Sequence, residues 1–155
     1  MDYISLEKTP YYAECRPLVE GLGFSLVDLQ VFKQAGQLQV KVVITGPEHI
    51  GIADCSKVHR TLLTRLEALM QSQDVYMEVS SPGTGRKIKN GAEFPFFIGR
   101  YISVWDTRKT DWVSGKLCRA DENEVILEVT SPEQQIPESL TVPLSCVAKA
   151  KLYNI

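Results

Sequence analysis

The stretch EVSSPGTGRKIKNGAEFPFFIGRYISV, residues 78–104, divides the chain into two halves of different character. Ser81-Pro82-Gly83-Thr84-Gly85 is the densest turn signal in the sequence. Pro82 has no N–H and holds Ser81 extended, so a strand that runs into it must end there. Gly83 is then free to turn with a positive φ. A basic run follows, Arg86-Lys87-Ile88-Lys89, and then Asn90-Gly91. These residues predict an N-terminal domain over 1–82, a linker over 83–90 and a C-terminal domain over 91–155.

To the left, the patterns alternate between helix and strand. Thr9-Pro10 has the form of a helix start, with Leu18, Val19 and Leu22 as an apolar stripe and Pro17 expected to kink or delay the helix. FSLVDLQVFK alternates, with Ser25, Val27, Leu29 and Val31 on one side and Phe24, Leu26, Asp28 and Gln30 on the other. Ala35-Gly36 supplies a turn into a second strand, Leu38 to Thr45, and the two should pair as a hairpin. From Ile52 to Met70 the apolar residues Ile52, Cys55, Val58, Leu62, Leu66, Leu69 and Met70 recur at helical spacing, with Lys57, Arg60, Arg65 and Glu67 on the wet side. VYMEVS, Val75 to Ser80, is a third strand. The left half is thus an α+β sandwich in the order α-β-β-α-β.

To the right, Tyr101–Asp106, Asp111–Arg119, Glu124–Thr130, Ser139–Pro143 and Val147–Leu152 are short β-prone segments separated by turns, the pattern of a small all-β barrel or sandwich. The 155 residues, 44% of them apolar, suffice for two small cores. A net charge of −2 counts against strong non-specific nucleic-acid binding and is compatible with a basic protein partner. The start MDYISLEKTP lacks the features of a secretory signal, and no apolar run approaches membrane-spanning length, so a cytoplasmic protein with no membrane partner is expected. Cys15, Cys55, Cys118 and Cys146 are scattered without a CxxC pair, which argues against disulfides and zinc and for small buried apolar residues.

Nothing in the chain nominates an enzyme. His49 and His59 are the only histidines and read as surface residues. Asp106, Asp111, Asp121 and Glu122 sit at hairpin tips, where solvated turn chemistry explains them. No nucleophile, base and orienter are positioned to converge, and no cofactor, metal or small-molecule substrate is expected. Binding has more support. Arg86, Lys87, Lys89 and Arg100 lie close to Phe94, Phe96 and Phe97. Cations beside aromatics can meet phosphates and stack on bases. The phenylalanines, however, read as core.

Within this same stretch, Glu78-Val79-Ser80-Ser81-Pro82-Gly83, then Arg86, then Phe94 and Phe97-Ile98-Gly99-Arg100 resemble, in order and spacing, the hallmark of the bacterial ribosome maturation factor RimP family. LVEGLGFSLVDLQV and Ala53-Asp54-Cys55 are similar to that family too, and the likeness runs from about residue 11 to Leu152. The resemblance implies a KH-like layout for the N-terminal domain and an Sm-like, SH3-type C-terminal barrel. It also implies binding to the free small ribosomal subunit, through ribosomal protein, ribosomal RNA or both, and help in its late assembly. Subunit-binding or interdomain roles then fall to Ser80, Ser81, Pro82, Gly83, Arg86, Lys87, Lys89, Gly99 and Arg100. No GxxG clamp is present, so RNA gripping of the KH kind is not expected. The sequence departs from the family at Thr84-Gly85, where an apolar residue and Asp are usual, and at Lys87, where Pro is common. Both changes make a more basic and more flexible linker. Reversing Arg86 and Lys89 to Glu is expected to weaken binding and spare the fold. A monomer without catalysis is expected, and a general RNA-binding Sm-like module is the alternative.

Overall fold

The computed structural model describes residues 1–83, 85–130 and 136–153. They form two compact units. One is Ser5–Pro82; the other joins Met1–Ile4 to Gly83–Ile155. The first four residues, expected with the first domain, are therefore part of the second unit. Asn90 explains why: its side chain accepts from the Ile4 amide at 2.9 Å and donates to the Ile4 carbonyl at 2.8 Å. The Gly91 amide adds a bond to the Asp2 carbonyl at 2.9 Å.

In the Ser5–Pro82 unit, α1 (Tyr12–Gly21) precedes β1 (Ser25–Gln34), β2 (Gln37–Thr45), α2 (Ile52–Met70) and β3 (Val75–Ser80). Pro17 lies inside α1, which already begins at Tyr12, so the proline does not delay the helix. The sheet order is β1-β2-β3, with a β1–β2 hairpin and β3 parallel to β2 across the α2 crossover. Strict alternation along β1 fails at one place. A bulge between Leu26 and Asp28 inserts Val27 as an extra residue, so that Leu26 and Leu29, opposite in the simple pattern, both join the core. Against them pack Tyr12, Cys15 and Val19 of α1 and Val58, Leu62 and Leu66 of α2, all buried. Burying each such Val or Leu contributes about 1.5–3 kcal/mol. Ile52, expected in the apolar stripe of α2, is instead 88% exposed.

Among its described residues the second unit is all β apart from short 3₁₀ turns. Its strands are β4 (Lys87–Ile88), β5 (Tyr101–Asp106), β6 (Asp111–Ala120), β7 (Glu124–Val129), β8 (Glu138–Pro143) and β9 (Val147–Leu152). They make one antiparallel sheet in the order β4-β9-β5-β6-β7-β8. β4 falls in the segment expected to be linker. Its two residues pair with Lys151 and Ala150, and Ile88 is buried. The 3₁₀ segment Gly91–Phe97 sends Phe94 and Phe97 wholly into the core, beside Ile102, Val104, Leu117 and Leu127 among other buried apolar residues.

Two expectations about polar residues fail here. Asp106 is fully buried rather than solvated: its carboxylate takes the Arg108 guanidinium at 3.0 and 3.1 Å and the Arg108 amide at 2.9 Å. Of the cysteines only Cys15 is fully buried, and Cys118 is exposed. The side chain of Cys118 lies on the outward side of β6, near Glu128.

Candidate functional site

Residues expected at the site fall in both units. In the first, β3 ends on Ser80, paired with Val43 of β2, and Ser81 is exposed beyond it. An open cleft of about 740 Å³ separates this strand end from the first turns of α2. Ile52, Cys55, His59 and Arg60 line one side, and Val79, Ser80 and Ser81 line the other. The helix start is fixed by the Gly51 amide, which donates to the Asp54 carboxylate at 3.0 Å. His59 ties the helix to the strand, its Nε2 lying 3.1 Å from the Met77 carbonyl.

The cleft thus brings Ser80 and Ser81 together with Ile52, His59 and Arg60, which the sequence had assigned to an apolar stripe and a wet face. Helical spacing could not distinguish Ile52 from Cys55, because only the tertiary packing decides how far the sheet extends beneath the first turn. As chemistry the cleft is mild. Burial and the neighbouring Asp54 push the Cys55 thiol up, which keeps it protonated and a poor nucleophile near neutral pH. An exposed isoleucine, an exposed arginine and a row of small hydroxyls suit contact with a macromolecule.

In the second unit, Gly83 does not have the expected positive φ; Gly85 does, at 80°. The Gly83 carbonyl accepts from the Arg86 amide at 3.1 Å, and the positive φ falls two residues later than foreseen. Thr84 lies outside the described residues. Arg86 is not a surface cation. Its guanidinium bonds Glu93 at 2.6 and 3.2 Å, and the two side chains are only 19% and 8% exposed. The Lys89 amide also donates to Glu93, at 3.4 Å. Reversing Arg86 would set two carboxylates against each other in a nearly dry place, so the expectation that this change spares the fold does not stand.

Lys87, Lys89, Gly99 and Arg100 are exposed. Gly99 takes a φ of 91°, and its amide bonds the Leu117 carbonyl at 2.7 Å, while the Arg100 carbonyl accepts from the Leu117 amide at 2.9 Å. This backbone pair sets where β5 begins. The Arg100 guanidinium lies over the Phe97 ring at 5.8 Å. Lys87 stands directly opposite Lys151 of β9. Among the described residues no group of three or more His, Cys, Asp or Glu side chains could hold a metal ion.

Comparison with known proteins agrees with this layout. Residues 14–85 match the RimP N-terminal domain. The ribosome maturation factor RimP of Borrelia hermsii is 26% identical over 147 residues, covering 95% of this chain and 96% of that protein. The ribosome maturation factor RimP of Borrelia recurrentis is 27% identical over 131 residues, covering 84% and 85%. The first unit is thus similar to the N-terminal domain of the RimP family, and relatives named ribosome maturation factor RimP align along nearly the whole chain.

Proposed function

We propose that this chain is a non-catalytic ribosome maturation factor that binds the free small ribosomal subunit in the cytoplasm, as a monomer, and assists its late assembly. The observation that carries the proposal is the end-to-end relation, over 95% of this chain and 96% of the relative, to a protein named for ribosome maturation. The lack of reactive character in the α2–β3 cleft supports a binding role. Among the described residues no helix is long and apolar enough to cross a membrane.

In this reading the α-β-β-α-β unit takes a KH-like layout. The second unit is an Sm-like, SH3-type barrel, a shape favoured by the register shifts at Val104/Asp106 and Leu117/Arg119, since bulges bend strands toward closure. Ser80, Ser81 and Pro82 meet the subunit together with Ile52 and Arg60. Lys87, Lys89 and Arg100 supply positive charge, whereas Arg86, Gly83 and Gly99 shape the backbone that presents it.

The test is sucrose-gradient sedimentation of the tagged protein in a lysate with subunits separated. Travel with free small subunits is the expected result. Spread over every RNA-containing fraction would favour a general RNA-binding module instead, and retention at the top of the gradient would overturn the proposal.

A further inference from the structure

The only two tryptophans of the chain, Trp105 and Trp112, stand outside the buried core, on the outer face of the second unit's sheet. They are cross-strand partners one pair back from the turn of the β5–β6 hairpin, with rings edge to face at 5.7 Å. On β9, Ala150 and Leu152 point inward, so Lys149 and Lys151 point out. The Lys149 ammonium lies 5.4 Å from the Trp105 ring and 5.5 Å from Trp112; that of Lys151 lies 4.7 Å from Trp112. Lys87 extends the row, directly opposite Lys151.

Two features of this face run against stability. Like charges directly opposite each other on adjacent strands repel, and among the described residues no carboxylate pairs with Lys87, Lys149 or Lys151. Tryptophan left partly in water also forfeits some of the burial that a core position would supply. An anionic partner would relieve the first, and a flat apolar one would use the second. A nucleotide of a single strand offers both, a phosphate for the ammonium and a base for the indole. An acidic peptide offers only the charge.

We propose that Trp105, Trp112, Lys87, Lys149 and Lys151 form a binding face for single-stranded RNA. The proposal deepens the ribosome-maturation reading by naming the partner's chemistry on the second unit, and it rests on that reading for the choice of RNA over DNA. Because the chain as a whole is slightly acidic, the attraction is local, and binding should weaken steeply with salt.

The experiment titrates the full chain with an unstructured 20-nucleotide RNA at low salt and follows tryptophan fluorescence and RNA anisotropy, with a poly-glutamate peptide in parallel. Saturable binding with tryptophan quenching is expected. Lys149→Gln with Lys151→Gln should weaken it at least tenfold and reduce the slope of log affinity against log salt by about 1.4, two phosphate contacts' worth on a single strand. Trp112→Leu, which keeps the charges, should also weaken binding and separates stacking from simple charge attraction. Absence of RNA binding, indifference to the lysine changes, or equal binding of poly-glutamate would overturn the proposal. Sedimentation with small subunits but no RNA binding would sink this face and leave the assembly-factor reading standing. RNA binding through these residues without subunit association would do the reverse.

Discussion

The two units differ in what they bury. In Ser5–Pro82 the buried residues are all apolar in kind, and the one buried hydroxyl, that of Tyr12, is satisfied by the Leu26 carbonyl at 2.6 Å. Among its described residues the second unit buries two carboxylates, Glu93 and Asp106, each held by an arginine close in sequence, Arg86 and Arg108. A core of aliphatic side chains is limited by packing volume. A core with buried charge is limited by whether each charge keeps its partner, because an unpaired buried ion costs far more than a paired one gains. Two folds of similar size in one chain should therefore fail by different routes. The means to see this are built in: both tryptophans report on the second unit, and both α-helices report on the first.

The largest effect is expected at Arg86. Arg86→Ala leaves the Glu93 carboxylate buried without its main partner and should destabilise the second unit by about 3–5 kcal/mol. Arg86→Met combined with Glu93→Leu should recover most of that loss, since an apolar pair can replace a buried ion pair nearly neutrally. Urea denaturation followed by tryptophan fluorescence measures both. If Arg86→Ala cost no more than the surface change Lys87→Ala, within about 0.5 kcal/mol, the contrast between the units would be broken.

Leu62→Ala probes the other route. Leu62 is wholly buried between the helices and the first sheet, and its truncation should cost about 3 kcal/mol through lost transfer energy and a residual cavity. The loss should be visible in helical circular dichroism against urea, with the tryptophan transition moving less. Coincident shifts of both signals would show that the units unfold as one, and the comparison would then concern a single cooperative core.

Titration sharpens the same contrast, because the signs are opposite. The Arg108 guanidinium and amide hold the Asp106 carboxyl below its ordinary range. A depressed carboxylate contributes stability that is present above the unfolded value of about 4 and is lost as pH falls through the folded one. In the first unit, burial pushes the Tyr12 hydroxyl up to about 12 and the Cys15 thiol up to about 11. Raised acids contribute stability that is full below their unfolded values and is lost as pH rises toward the folded ones. The tryptophan signal should thus weaken first in acid, below about pH 4, and the helical signal first in alkali, above about pH 9–10. Tyr12→Phe should remove about half of the alkaline sensitivity, Cys15 keeping the rest, at the cost of one hydrogen bond, about 1 kcal/mol. An alkaline midpoint unchanged in that variant would assign the sensitivity elsewhere.

What the sequence disclosed follows the range of the forces involved. Strands β3, β5 and β9 and helix α2 were legible to the residue because their periodicity is local and strong. The bulge at Val27 was not, since the inserted residue is itself apolar and leaves the pattern of types intact. Strand β4 has two residues, too few for any period, and exists only because Lys151 and Ala150 pair with it. Docking of residues 2–4 depends on Asn90 and Gly91, far along the chain. At the candidate site, the motif around Ser80–Arg86 was visible, but the role of Arg86 was not, because Glu93 reads as an ordinary surface acid until the 3₁₀ turn carries it inward. The tryptophan–lysine face could have been found. Once the β5–β6 hairpin is centred between Arg108 and Lys109, Trp105 and Trp112 must face each other.

The smallest expected effect compares the hairpin turns of the two units. In the β1–β2 turn, Ala35 has a φ of 52° and Gly36 a φ of 81°, the left-handed pair that the right-handed twist of a two-residue hairpin demands. In the β5–β6 turn, Thr110 has a φ of 52° and its amide bonds the Asp106 carbonyl at 2.8 Å. Left-handed backbone brings Cβ close to the following carbonyl, which penalises alanine and, more so, β-branched threonine, whereas asparagine adopts it with little strain. Ala35→Asn and Thr110→Asn should each stabilise their own unit by up to about 1 kcal/mol, a rise in melting temperature of about 4–8 °C for a unit of this size. The threonine change should give the larger gain, and each gain should register only in its own signal, helical or tryptophan. Stabilisation that appears equally in both signals would mean that the turns act on one shared unfolding step, and the separate failure routes of the two cores would no longer be independent.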